Sequence, residues 1–220
     1  MRIASFNIEK SGLSSTLAKR SQVDFFVSHC VQLGTDLIFL CEVHSAQEDN
    51  YINNLGDIYR DYNVGRHKGG YSNSYIVMSK KSATLTISSQ GNLFALNRDL
   101  IAVEAQGVNG YSGLIFLAHF KSGQNKQTKS QLNACTQLGG RWVATGDLNL
   151  DITKVGELDS PGIAHDCWNG KPTHRSGGIL DWVLASVDVR VSPVDITHFE
   201  HDFDMNGPDH RPILFDVFSA

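Results

Sequence analysis

The chain has 220 residues, 41% of them hydrophobic, 19% charged and 9% aromatic, a composition that excludes disordered and fibrous classes. Its formal charge of −4 provides no global basic field of the kind that holds nucleic acid non-specifically. No apolar run approaches the roughly 20 residues that span a bilayer. Strand-like residues begin at Met1-Arg2-Ile3-Ala4 with no room for a signal peptide, so a cytoplasmic protein is expected.

In chain order, residues 14–34 carry Leu17, Val23, Phe26, Val27, Cys30, Val31 and Leu33 at helical spacing, and Gly34 stops the pattern. Residues 35–42 read as a buried strand, 46–56 as a short helix and 57–65 as another strand. Residues 75–79 and 83–87 read as consecutive strands around Lys80-Lys81. A hairpin over 100–106 and 113–119 is expected to turn at Asn109-Gly110. A helix over 126–139 and strands near 142–147, 180–186 and 213–218 complete the pattern. Strand-helix-strand at each end of a run of strand pairs predicts a four-layer α/β sandwich, two packed mixed sheets flanked by helices. One domain over 1–220 is expected, as a monomer. Cys30, Cys41, Cys135 and Cys167 lack CxxC spacing, which excludes zinc ribbons and thioredoxin-type sites and points to reduced thiols.

The apolar runs end in polar residues: Asn7, Glu42, His119 and Asp147, with Asp181 opening another run and Asp209-His210 preceding the last. Carboxylates and imidazoles gathered at one edge of a buried sheet suit metal-assisted attack on a phosphate. Mg²⁺ prefers one or two carboxylates together with water and phosphate oxygens, roles that fit Glu42 and Asp209, with Asn7 close by through its amide oxygen. Mn²⁺ is the expected substitute. A histidine such as His210 can deprotonate water near neutral pH, and Asp181 would hold its other ring nitrogen. Asp147 could instead orient or deprotonate that water, with Asn149 aligning the phosphate and His119 donating to it or to the leaving oxygen.

Each motif alone is weak, but their order from Ser5-Phe6-Asn7-Ile8 through Gly146-Asp147-Leu148-Asn149 to Pro208-Asp209-His210-Arg211-Pro212 resembles the endonuclease/exonuclease/phosphatase superfamily. The resemblance covers nearly the whole chain and implies a DNase I-like fold. It also implies metal residues Glu42, Asp209 and Asn7 and catalytic residues His119, Asp147, Asn149, Asp181 and His210.

In detail the chain is most similar to deoxyribonuclease-type members. Gly65-Arg66 with Tyr71-Ser72-Asn73-Ser74-Tyr75 resembles a minor-groove loop in which Tyr71 would lie against a sugar. Asn97-Arg98-Asp99 resembles a phosphate-contacting segment, with Arg98 on the backbone. Lys121, Arg175 and His44 complete the substrate contacts, Lys121 and Arg175 within a strip that also takes Lys10, Lys19, Arg20, Lys126 and Lys129. Phosphate contacts of this kind position a duplex without reading its sequence, so the implied partner is DNA, cut endonucleolytically with little selectivity.

Three departures stand out. Asn73 replaces a carboxylate that would support His119, and His44 and Glu9 stand where arginines would face DNA. The acidic stretch 195–209 reads as a solvated loop, with an additional metal at His198, His201 and His210 as the alternative. The competing expectations are a phosphatase or phosphodiesterase acting on a small or lipid phosphoester, and an inactive binding module.

Overall fold

The computed structural model describes residues 1–10, 17–70, 73–90, 100–137, 139–157, 162–200 and 207–220. Within them, strands β1 (Arg2–Asn7) and β2 (Leu37–His44) flank helix α1 (Leu17–Gln32), followed by helix α2 (Glu48–Ile58). Strands β3 (Tyr62–Lys68), β4 (Asn73–Lys80), β5 (Leu85–Ser89), β6 (Ile101–Val108) and β7 (Tyr111–His119) come next. Helix α3 (Asn125–Thr136) precedes β8 (Trp142–Asp147), β9 (Ile163–His165), β10 (Asp181–Ala185), β11 (Val189–Pro193) and β12 (Ile213–Ser219).

The strands form two six-stranded sheets, ordered β11-β12-β1-β2-β4-β3 and β5-β6-β7-β8-β10-β9. Each is antiparallel except for one central parallel pair, β1 with β2 and β7 with β8. A helix makes each parallel crossover, α1 in the first sheet and α3 in the second. The expected four-layer α/β sandwich is therefore the observed fold.

Central strands buried on both faces read as continuous apolar runs, as Leu37-Ile38-Phe39-Leu40-Cys41 does. In β7 the alternation separates two cores: Ile115 and Leu117 join the large core, Phe116 and Ala118 a smaller one with Leu132, Trp142 and Trp182. Phe6 meets Phe26 of α1 edge-on, 5.3 Å between centroids. All four cysteines are buried and none is in a disulfide.

The structure corrects several boundaries. The strand expected at 57–65 begins at Tyr62, because α2 runs to Ile58 and the Tyr59 amide still donates to Leu55. Strands β4 and β5 follow one another but do not pair, since the chain crosses between sheets there. Strands β9 and β11 were not anticipated: three residues are too few for a period, and β11 pairs on one side alone, at an edge. The hairpin turn falls where expected, with Asn109 at φ 46° and Gly110 at φ 83°, the primed geometry that matches strand twist.

Candidate active site

Parallel strands end at a common edge, and this fold has a parallel pair at the centre of each sheet. Asn7 pairs in register with Cys41, and His119 with Asp147. The neighbours run the other way, so their beginnings lie at the same edge: Asp181 opens β10 opposite Asp147, and Asp209-His210 precede β12 beside the end of β1. A hydrogen bond from Asn7 Nδ2 to Asp147 Oδ2 at 2.9 Å joins the two sheets there.

Asp147 is fully buried beside Gly146, whose φ of +130° and close approach to the Ala118 carbonyl require the absence of a Cβ. The Asn149 backbone N–H donates to Asp147 Oδ1 at 3.0 Å, and Asn149 Nδ2 donates to Oδ2 at 2.8 Å. Asn149 Nδ2 also donates to the Phe120 carbonyl, so this residue braces Asp147. A carboxylate that receives donors at both oxygens is suited to its ionised form. Burial nevertheless pushes Asp147 up to about 6, with Asp181 adding to the rise while His210 and the Asn7 and Asn149 hydrogen bonds oppose it.

His210 and Asp181 are also buried, with His210 Nδ1 2.7 Å from Asp181 Oδ2. Thr173 Oγ1 accepts the N–H groups of both Leu180 and Asp181, fixing the start of β10. His210 Nε2 faces Asp147 Oδ2 at 3.7 Å and Asp209 Oδ1 at 4.0 Å. Burial alone would lower the imidazole, but Asp181, Asp147 and Asp209 outweigh it and push His210 up to about 10.

Glu42 lies in a bulge of β2 between Leu40 and Val43, at φ 59°, an uncommon conformation for a residue with a side chain. The bulge lets a half-buried carboxylate emerge from an apolar strand, 3.3 Å from His119 Nε2. His119 Nε2 is also 3.4 Å from Asp147 Oδ2, so Glu42, His119, Asp147 and His210 form one continuous cluster. Asn73 Oδ1 is buried with no hydrogen-bond partner among the described residues, and so does not take over the support of His119 that a carboxylate would give there.

Two residues with no assigned site role in the sequence reading belong here. Glu9 Oε2 accepts the Asp209 N–H at 3.0 Å, and the Glu9 N–H donates to Asn7 Oδ1. The ring of His174 lies against that of His210, centroids 4.5 Å apart, with Nε2 3.7 Å from Asp209 Oδ2. Of the residues around His174, the sequence singles out Arg175 alone. The isolated bridge pairing His174 with His210 joins distant segments and leaves no local signal.

The donor set fits a divalent cation. Glu42, Asp147, Asp181 and Asp209 bring four carboxylates to imidazoles that carry at most one charge each, and buried anions require compensation. Among the described residues, two groups place their ligating atoms within 4.8 Å of one another: His174, Asp209 and His210, and Asp147, Asp181 and His210.

A family model described as the Endonuclease/Exonuclease/phosphatase family matches residues 4–203. The chain belongs to that family. Members are hydrolases of phosphoesters, and they generally use a divalent metal. None of the curated proteins compared matches the chain significantly in sequence.

Among solved structures, a humanized D. rerio TDP2 superposes with a TM-score of 0.70 at 16% identity, covering 100% of this chain and 99% of its own. The human Nocturnin catalytic domain gives 0.66 at 15%, covering 100% and 94%. A Bacteroides thetaiotaomicron mannosyl-6-phosphatase gives 0.65 at 13%, covering 99% of both chains. At these identities the likeness establishes the fold, which nucleases and phosphatases of the family share.

The remaining expected site residues are less central. His44 ends β2 half-buried, its Nδ1 accepting the Ala46 N–H. Lys121 is exposed two residues past His119. Arg175 is exposed at the rim, its N–H on the Asp209 carbonyl and its guanidinium 4.0 Å from Glu9. Tyr71 and Arg98 lie outside the described residues. Of the suggested second metal site, His201 is likewise outside. His198 packs on His29 and Phe199, and His210 is held by Asp181, so these two serve different neighbourhoods. In the basic strip, Lys19 is paired with Glu9, and Arg20 lies over the Tyr51 ring.

Proposed function

We propose that this protein is a divalent-metal-dependent nuclease that hydrolyses DNA phosphodiester bonds endonucleolytically with little sequence selectivity. The observation that carries this reading is the His210–Asp181 pair at 2.7 Å, with His210 Nε2 facing Asp147 and Asp209 at the edge both sheets share. Support for a nucleic-acid substrate comes from D. rerio TDP2 complexed with a single-strand DNA product, which covers the whole of this chain at a TM-score of 0.70 and 16% identity.

Glu42 and Asp209 would hold Mg²⁺ or Mn²⁺, with the Asn7 amide oxygen beside them. A bound cation would neutralise the non-bridging phosphate oxygens as charge builds and would favour the neutral form of the neighbouring His210. Asp181 holds the Nδ1 proton of His210, leaving Nε2 to accept a proton from the attacking water. Asp147 orients that water, and Asn7 and Asn149 hold Asp147 in place. His119 donates to the phosphate or to the leaving oxygen. Lys121, Arg175, His44, Tyr71 and Arg98 would contact the strand on either side.

The test is nicking of supercoiled plasmid by the purified protein with Mg²⁺, with EDTA, and with Asp209→Ala in place of wild type. Metal-dependent nicking by wild type alone is the expected result. No nicking with Mg²⁺ or Mn²⁺ would overturn the nuclease reading and direct the search to phosphomonoesters and phospholipids.

A further inference from the structure

We propose that His174 is a positioning residue for Asp209: locked in one tautomer by Ser176, it aims an N–H at Asp209 and turns that carboxylate toward the cation. The inference rests on the reading of Asp209 as a metal residue and adds a residue to that site.

The position of His174 is set by its own turn. The N–H groups of Thr173 and His174 both donate to the Gly178 carbonyl at 3.1 Å, and Gly177, at φ 90°, donates to the His174 carbonyl. The ring is therefore carried on a closed loop that also binds Asp181 through Thr173.

Its tautomer follows from Ser176. The Ser176 backbone N–H donates to His174 Nδ1 at 3.1 Å, and the Ser176 hydroxyl lies 2.6 Å from the same nitrogen. A backbone N–H cannot accept, so Nδ1 must be the acceptor and the ring proton sits on Nε2. Nε2–H is directed at Asp209 Oδ2, 3.7 Å away, an electrostatic contact longer than a hydrogen bond. That protonation also argues against His174 as a ligand itself, because a metal needs the lone pair that Nε2 lacks in this tautomer.

Asp209 is otherwise fixed along its backbone. Its N–H goes to Glu9, and its carbonyl accepts from Arg175. What remains free is rotation of the carboxylate. With Oδ2 drawn toward His174, Oδ1 faces His210 Nε2 and the centre of the cluster. Groups that orient a ligand from behind commonly govern metal affinity about 10-fold or more.

The experiment is a Mn²⁺ titration followed by electron paramagnetic resonance on the whole chain, with no substrate present. Wild type, His174→Ala, His174→Asn, His174→Gln and Asp209→Ala are compared after circular dichroism confirms folding. A Gln amide places its N–H group near Nε2, whereas an Asn amide places its own near Nδ1. The expected result is Mn²⁺ affinity about 10-fold weaker in the Ala and Asn variants, largely restored in Gln. Wild-type affinity in His174→Ala, or equal loss in Gln and Asn, would overturn the proposal while leaving Asp209 as a metal residue. Undiminished binding by Asp209→Ala would instead remove the metal role of Asp209, and the proposal with it. If the Ala variant does not fold, the Gln–Asn comparison decides alone.

Discussion

Glu9 Oε2 accepts the backbone N–H of Asp209 at 3.0 Å, tying the end of β1 to the segment before β12. The same oxygen is 2.6 Å from Lys19 Nζ, and Glu9 itself holds Asn7 through its own N–H. Glu9 adopts φ 46°, a conformation a side chain takes when its surroundings demand it. In the sequence this residue read as a lost positive charge facing DNA. In the structure Lys19 balances it, and its work is to hold two expected metal residues in register.

Glu9→Ala removes the acceptor for Asp209 and a partner of Lys19, in an ion pair of which neither side chain is fully exposed. We expect a loss of nicking rate of up to about a hundredfold, the scale a misplacement of about 1 Å can bring, and a stability loss of about 1 kcal/mol. Glu9→Gln keeps an oxygen for the Asp209 N–H and should fall between wild type and Ala. Parallel plasmid assays and thermal melts check this; equal rates in all three proteins would remove Glu9 from the site.

Gly146→Ala should be among the most damaging small substitutions in the chain. A Cβ there would meet the Ala118 carbonyl within the β7–β8 ladder, and φ +130° is costly for any L side chain. Relief would need the two parallel strands to separate beside Asp147. The expected loss is about 3 kcal/mol or more, measured by urea unfolding. Wild-type stability in this variant would mean that the strand pair adapts.

The fold was legible because its central strands are buried on both faces and print unbroken apolar runs in the sequence, each bounded at one end by a polar residue. That pattern located Asn7, Glu42, His119, Asp147 and Asp181, which the two parallel pairs then bring to one edge. What stayed hidden depends on contacts distant in sequence. Nothing local shows that Glu9 reaches Asp209 or that His174 stacks on His210. Short edge strands such as β9 carry too few residues for periodicity, and the change of sheet between β4 and β5 follows from packing rather than from the strands themselves.

His29 gives a pH prediction away from the catalytic cluster. Its pKa lies below the usual histidine value, first through burial and then through the facing His198, 4.6 Å between centroids; Phe199 is a second ring against it. A histidine depressed in the folded state stabilises the fold above its unfolded value, near 6.5, and loses that contribution as pH falls through the folded value. This contribution to the melting temperature should therefore shrink as pH is lowered from about 7.5 to about 5, while the raised His210 and Asp147 act in the opposite direction. His165, depressed by burial, acts in the same direction as His29, and with all other groups shared, wild type should lose more melting temperature than His29→Gln over this range. An unchanged slope in the variant would exclude His29 as a contributor.

The His210–Asp181 pair supports the sharpest kinetic prediction. His210→Ala removes the proposed base and should lower the nicking rate at least about a hundredfold, the usual scale of acid–base contributions. It also leaves Asp181 buried without its imidazole and Asp147 with that of His119 but not His210, so some loss of thermal stability should accompany it while the fold persists. Asp181→Asn separates the two effects. It keeps the volume of the side chain but replaces the charged acceptor that holds the Nδ1 proton, so activity should fall steeply with little change in circular dichroism. Single-turnover cleavage with saturating Mg²⁺ distinguishes the outcomes: near-normal turnover in His210→Ala would remove His210 from the mechanism and leave Asp147 as the group that accepts the proton.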